Sequence, residues 1–190
     1  MRQVTETRTI LKYSELNEDQ KNKVIDKLRD INVNDEDWSE YALEYYTDAL
    51  KLLGFYDVKF RYSGFWSQGD GASFTGKFKV PKTKKELKER LAACKKEFPT
   101  LKLYDFSDIR FDEDEKEGEV LEVYRISHHY SHSNTVSSDN SDLTHFVRDF
   151  SNMVYKALES EYDYLTSREC IEETILSNEY EFDNSTLTIE

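Results

Sequence analysis

FYDVKFRYSGFWSQGDGASFTGKFKV, running from Phe55 to Val80, places two alternating segments on either side of a glycine-rich loop. In the first, Tyr56, Val58 and Phe60 alternate with Asp57, Lys59 and Arg61; in the second, Phe74, Gly76, Phe78 and Val80 alternate with Thr75, Lys77 and Lys79. Successive strand side chains point to opposite faces, so this period of two predicts two half-buried strands, and the loop between them predicts a hairpin. Pro81 cannot donate to a ladder and ends the second strand.

Upstream, Asn17 with Gln20 has the pattern of a capping box, and Val24, Leu28 and Ile31 form one apolar stripe behind it. A second helix is predicted from near Asp35 to Leu53, with Trp38, Tyr41, Ala42, Tyr45, Ala49 and Leu52 as its buried stripe and Gly54 as its stop. Aromatic residues at helical spacing read as core packing before they read as a cofactor pocket.

Downstream, Thr83 and Glu86 cap a helix whose stripe is Leu87, Leu91, Cys94 and Phe98, with Pro99 as its stop. Leu101, Leu103, Ile109 and Phe111 suggest a short strand pair or an extended segment leading into the acidic stretch Asp112 to Glu117. Val120 to His132 alternates throughout and reads as one long strand, with Thr135 to Ser137 as a candidate return. The strongest helical pattern runs from Asp142 to Leu165, followed by a short helix capped by Thr166 or Ser167 and two small strands around Asp183-Asn184-Ser185. Helices and strands in mixed order, with hairpins between strands, predict one α+β domain over residues 1–190: an antiparallel sheet packed against several amphipathic helices.

Composition narrows the function classes. With 190 residues, 37% hydrophobic and 14% aromatic, the chain can build a proper core. No apolar run approaches the roughly 20 residues of a membrane span, and the opening residues lack the apolar stretch of a signal peptide. Two well-separated cysteines, Cys94 and Cys170, give neither a disulfide framework nor a zinc spacing, which points to a reducing cytosol and to core roles for both. The net charge of −13 opposes direct binding to nucleic acid or to anionic membranes. It is unevenly spread: Lys77 to Lys102 carries ten bases and three acids, whereas Leu103 to Glu122 carries nine acids and two bases and Ala157 to Glu190 ten acids and one base. The acidic stretches read either as solvated faces or as a surface imitating a phosphate backbone.

Two constellations are candidate sites. Four of the six glycines and one of the two tryptophans fall between Ser63 and Gly76. Phe65, Trp66, Ser67, Gln68, Asp70 and Ser73 then form a candidate binding surface for a partner or a nucleotide-like small molecule, with Trp66 stacking and Gln68, Asp70 and Ser73 donating or accepting. The competing reading makes it a hairpin loop in which Asp70 caps its own backbone and Trp66 plugs the core. No phosphate-loop pattern is present, and no cofactor is implied. The second constellation is His128, His129 and His132, three of the four histidines within five residues, and Arg125, His128, Tyr130 and His132 on the same strand are further candidate binding residues. On one strand at ~3.3 Å per residue, His128 and His132 would stand roughly 13 Å apart, too far to share a metal ion, so no metal is expected. One imidazole beside Asp70 would make a proton-transfer pair for a hydrolase if their strands were neighbours.

Ser63-Gly-Phe-Trp-Ser-Gln-Gly-Asp-Gly-Ala-Ser-Phe74, with Tyr13-Ser-Glu-Leu16, Tyr130-Ser-His132, Glu161-Tyr-Asp-Tyr-Leu-Thr-Ser167 and Asn178-Glu-Tyr-Glu-Phe182, resembles a widespread family of small bacteriophage proteins. Its members are uncharacterised or loosely labelled antitoxin-like. The resemblance implies a phage product acting in the cytoplasm of an infected bacterium. That context makes the expected activity inhibition of a host immune system, of anti-CRISPR type or related, by binding a host protein that is a defence complex or a toxin. A homodimer through an exposed edge near Arg125 or the acidic carboxyl-terminal tail is a further expectation.

Overall fold

A computed structural model of the chain describes residues 7–35, 37–103, 106–111, 118–128 and 131–190, and the side chains of all of these except 127, 128, 131 and 132. The described residues form an α+β protein of five helices and two antiparallel sheets. Its contacts gather into two compact units, residues 39–159 and residues 1–38 with 160–190.

The larger unit is built on the hairpin. Strands β2 (Phe55–Ser63) and β3 (Gly71–Lys79) pair antiparallel as the alternation predicts, and β4 (Val120–His128) and β5 (Ser131–Val136) extend the sheet in the order β2-β3-β4-β5. The remaining elements are α2 (Asp37–Leu53), α3 (Lys84–Glu97) and α4 (Ser141–Leu165), of which the unit takes residues 39–53, all of α3 and residues 141–159. Phe55, Phe74, Phe78, Phe106, Phe146 and Phe150 interlock at the core, with ring centroids 4.6 to 6.4 Å apart. Burying one such ring stabilises the fold by roughly 1.5–3 kcal/mol, which is how a chain with so many charges holds together.

The sequence pattern requires three corrections here. Tyr56↔Lys77 and Lys59↔Thr75 are paired, so Asp57 and Val58 together oppose Gly76 in a bulge, with Asp57 at φ 54°. A bulge shifts the parity of its strand. Phe55 and Phe60 therefore both face inward, while Tyr56 is exposed instead of buried. The buried face of α2 is Ser39, Tyr46, Ala49, Leu50 and Leu53, rotated by about one residue from the expected stripe, which leaves Tyr41 81% exposed. Finally, Val120 to His132 is not one strand: the chain reverses between His128 and Ser131, with Ile126↔Ser133 and Ser127↔His132 in register. Alternation persists through a tight hairpin, so it does not mark the reversal.

The smaller unit holds β1 (Ile10–Lys12), α1 (Glu18–Lys27), α5 (Arg168–Ser177) and β6 (Glu181–Asp183), with β1 antiparallel to β6. Asn17 and Gln20 close the predicted capping box, each side chain bonding the other's backbone N–H at 3.0 Å. Ser167 caps α5 by accepting from the Cys170 N–H. Tyr13, Leu16, Val24, Ile171, Ile175 and Phe182 make its core. Cys94 and Cys170 are buried and unbridged, as read from the sequence. No helix is long and apolar enough to cross a membrane among the described residues.

Candidate functional site

The loop between β2 and β3 is shaped by its own aspartate. The Asp70 carboxylate accepts from the backbone N–H groups of Trp66 at 2.9 Å and Ser67 at 2.6 Å and from Ser63 Oγ at 3.5 Å, while its own N–H donates to Ser67 O. This is the self-capping half of the two readings. Gly64 is required by close approach, because a Cβ there would lie 2.8 Å from the carboxylate oxygen. Gly69, at φ 105°, occupies a conformation other residues rarely adopt.

The two aromatic residues of the loop part company. Phe65 is half-buried, stacked against Tyr62 at 6.0 Å and Tyr155 of α4 at 5.6 Å, and the Tyr155 hydroxyl donates to Gly64 O at 3.3 Å. Burial, and then the charges of Glu159 and Asp70, push the Tyr155 phenol above its ordinary range, so it stays a donor. Trp66 does not plug the core: it is 69% exposed, beside exposed Ser67 and Gln68. The result is a pinned backbone carrying an indole in solvent.

The remaining candidate residues divide. Ser73 is fully buried, which takes it away from the loop surface proposed for it. His129 and Tyr130 lie outside the described residues, as do the side chains of His128 and His132. Residues 128 and 132 now sit on neighbouring strands, so the separation expected along one strand no longer applies. Asp70 is committed to loop donors. Among the described residues no cluster of His, Cys, Asp and Glu has the makings of a metal site.

Arg125 falls in a feature that the sequence reading missed. The β3–β4 ladder runs only from Lys79↔Val120 to Gly76↔Val123. Beyond it the strands part, and Asn134 of β5 fills the inner end of the gap. Its Nδ2 donates to Phe74 O at 2.5 Å and Tyr124 O at 3.2 Å, and its Oδ1 accepts from Phe74 N at 3.4 Å and from Ser151 Oγ at 2.7 Å. Arg148 Nε also donates to Asn134 O at 2.8 Å. Above this plug lies a groove of about 390 Å³ lined by Lys59, Arg61, Ser73, Thr75, Tyr124 and Arg125. The alternation of Lys59 and Arg61 marks only the polar side of a half-buried strand, and nothing local marks the parting of β3 from β4.

Comparison with known proteins gives one result about family. No curated protein and no solved structure matches the chain. One family does match, from Trp38 to Arg168, a span that includes the whole unit carrying the hairpin and the groove. Since the match takes in more than half of the 190 residues, the chain belongs to the family described as a domain of unknown function, DUF8835.

Proposed function

We propose that this protein is a bacteriophage accessory protein that inhibits a bacterial immune system by binding a host component inside the infected cell, with the 64–70 loop as its recognition surface. The observation that carries the reading is Trp66, 69% exposed on a loop whose backbone Asp70 ties down. Rigid aromatic side chains are the usual anchors of protein interfaces, because they bury large areas at little entropic cost. Phe65, wedged between Tyr62 and Tyr155, holds the loop to the rest of its unit, so the indole is presented before a partner arrives. The target is a defence complex or a toxin, and the acidic surface imitates nucleic acid toward it.

The two alternatives fare less well. A small ligand enclosed by the loop would compete with Asp70 for the Trp66 and Ser67 N–H groups, which already have a carboxylate acceptor. A hydrolase using Asp70 as base would have to break the same bonds.

The test is expression of the intact chain in a bacterium whose nuclease-based immunity blocks a phage. Wild type is expected to restore plaques and Trp66→Ala to abolish that rescue, with an unchanged melting midpoint. Truncating an anchor of this kind costs about 2 kcal/mol or more, roughly a 30-fold loss of affinity. Failure of the wild type to rescue phage in any such strain, or full rescue by Trp66→Ala, overturns the reading.

A further inference from the structure

The groove at the β3–β4 gap calls for a function separate from the loop. Two of its lining residues, Lys59 and Arg61, are exposed cations on the outer face of β2, in a chain whose acids outnumber its bases by 39 to 26. Arg125, the register partner of buried Asn134, borders the groove from the inner face of the sheet. Unscreened cations in an acidic protein ordinarily collect carboxylates. Lys59 and Arg61 make no ion pair among the described residues, whereas Lys77, farther along the same strands, pairs with Asp57 at 3.0 Å. The nearest acid on β4, Glu122, is engaged by the Tyr124 hydroxyl. Positive charge is therefore left facing the groove with its local acids already committed.

The walls are also fixed. Lys59↔Thr75 and Arg61↔Ser73 are register partners, so the two β2 cations stand directly across from β3 hydroxyl residues. Asn134 bonds both parted strands and is itself held by Ser151 of α4, which keeps the gap from closing. Such a bond network costs no reorganisation when a ligand enters. Arginine presents a planar fork of donors matched to phosphate oxygens, and lysine adds a point charge. The volume of about 390 Å³ lies in the range of small-molecule sites, roughly 300–1,000 Å³, so the space suits a phosphate together with the organic group that carries it. Tyr124, 45% exposed on one wall, offers an aromatic surface for that group.

The geometry points to a binding site for a phosphorylated small molecule, with Lys59 and Arg61 neutralising the phosphate and Tyr124 bordering its organic part. The site is independent of the loop that carries Trp66.

Calorimetric titration of the full chain tests this with adenosine 5′-monophosphate, ribose 5-phosphate and inorganic phosphate, against adenosine and acetate. Binding is expected for the two phosphate esters, weaker for inorganic phosphate and absent for adenosine and acetate. The relative strength of the two esters tells whether a base or a bare sugar is preferred. Lys59→Gln with Arg61→Gln, both exposed positions, is expected to weaken ester binding by about tenfold or more while leaving the melting midpoint in place. Absence of ester binding at millimolar concentration, equal binding of adenosine, or wild-type affinity in the Lys59→Gln, Arg61→Gln variant overturns the assignment. Loss of binding in Trp66→Ala in place of the groove variant would move the ligand to the loop and overturn it equally.

Discussion

Removing the Asn134 carboxamide would strip partners from the Phe74 N–H and C=O and from the Tyr124 C=O at once. Buried backbone groups left without partners cost about 1–3 kcal/mol each, partly relieved when water enters. Asn134→Ala is therefore expected to lower the unfolding free energy by about 2–4 kcal/mol, read as a lower urea midpoint with an unchanged slope. Ser151→Ala, which removes one of the bonds and no backbone partner, should cost about 1 kcal/mol. Nothing in the sequence announced Asn134: it lies in a polar stretch that reads as a turn, and its role exists only because β3 and β4 part. Asp70 is the contrasting residue. An aspartate between two glycines in a short hairpin loop has few donors within reach other than its neighbours' N–H groups, so its self-capping was legible as one of two local readings.

At the scale of elements, Arg90 of α3 is the junction. Its side chain, 13% exposed, pairs with Glu86 at 2.6 Å, donates to Lys79 O at the end of β3 at 2.7 Å, and approaches Leu53 O at the end of α2 at 3.5 Å. A hydrogen bond from the Lys82 N–H, and then Arg90, hold the Glu86 carboxyl below its ordinary range, so the pair is charged near neutrality. Arg90→Ala would leave two element ends and the Glu86 carboxylate without their shared donor and uncover the face of Phe78, over which the guanidinium lies. Loss of about 2–3 kcal/mol is expected in chemical unfolding, whereas Arg90→Lys should recover only part of it, since an ammonium cannot span the fork. Helix caps at Asn17, Thr83 and Ser167 were legible because a cap is decided by residues three apart. The facing of α2 and of β2 was not. Which side of a helix is buried depends on the sheet it meets, and a bulge depends on pairing with a strand many residues away.

Across the whole molecule, negative charge is concentrated in the smaller unit. Its residues carry 8 bases against 18 acids, net −10, while the larger unit carries 18 against 21, net −3. In the smaller unit, Asp183 accepts from Ser185 Oγ and from the Ser185 and Thr186 N–H groups, which lower its carboxyl from 3.8 to about 2. The unfolded chain then takes up the proton first, so this contribution is complete above about pH 4 and disappears as pH falls toward 2. Tyr13 behaves oppositely. Burial, then its bond to Glu172 at 2.9 Å, push the phenol from 10.0 to about 12. The unfolded chain loses that proton first, so stability falls as pH rises from about 10 to 12. Melting midpoints of the full chain are expected to decline at both ends, with Asp183→Asn flattening the acid limb and Tyr13→Phe the alkaline limb. An unchanged limb in either variant would assign that transition to other groups.

The order of helices and strands, their caps, the central hairpin, the two buried thiols and the α+β class follow from the chain alone, since each rests on periodicities and spacings within a few residues. The exposure of Trp66, the burial of Ser73, the reversal after His128 and the cationic groove come from the tertiary structure. Each depends on where distant segments meet, on the parity set by a bulge and on a ladder that stops at Gly76↔Val123. Local sequence governs which bonds a residue makes with its neighbours; only the packed sheet decides which of its faces meets water.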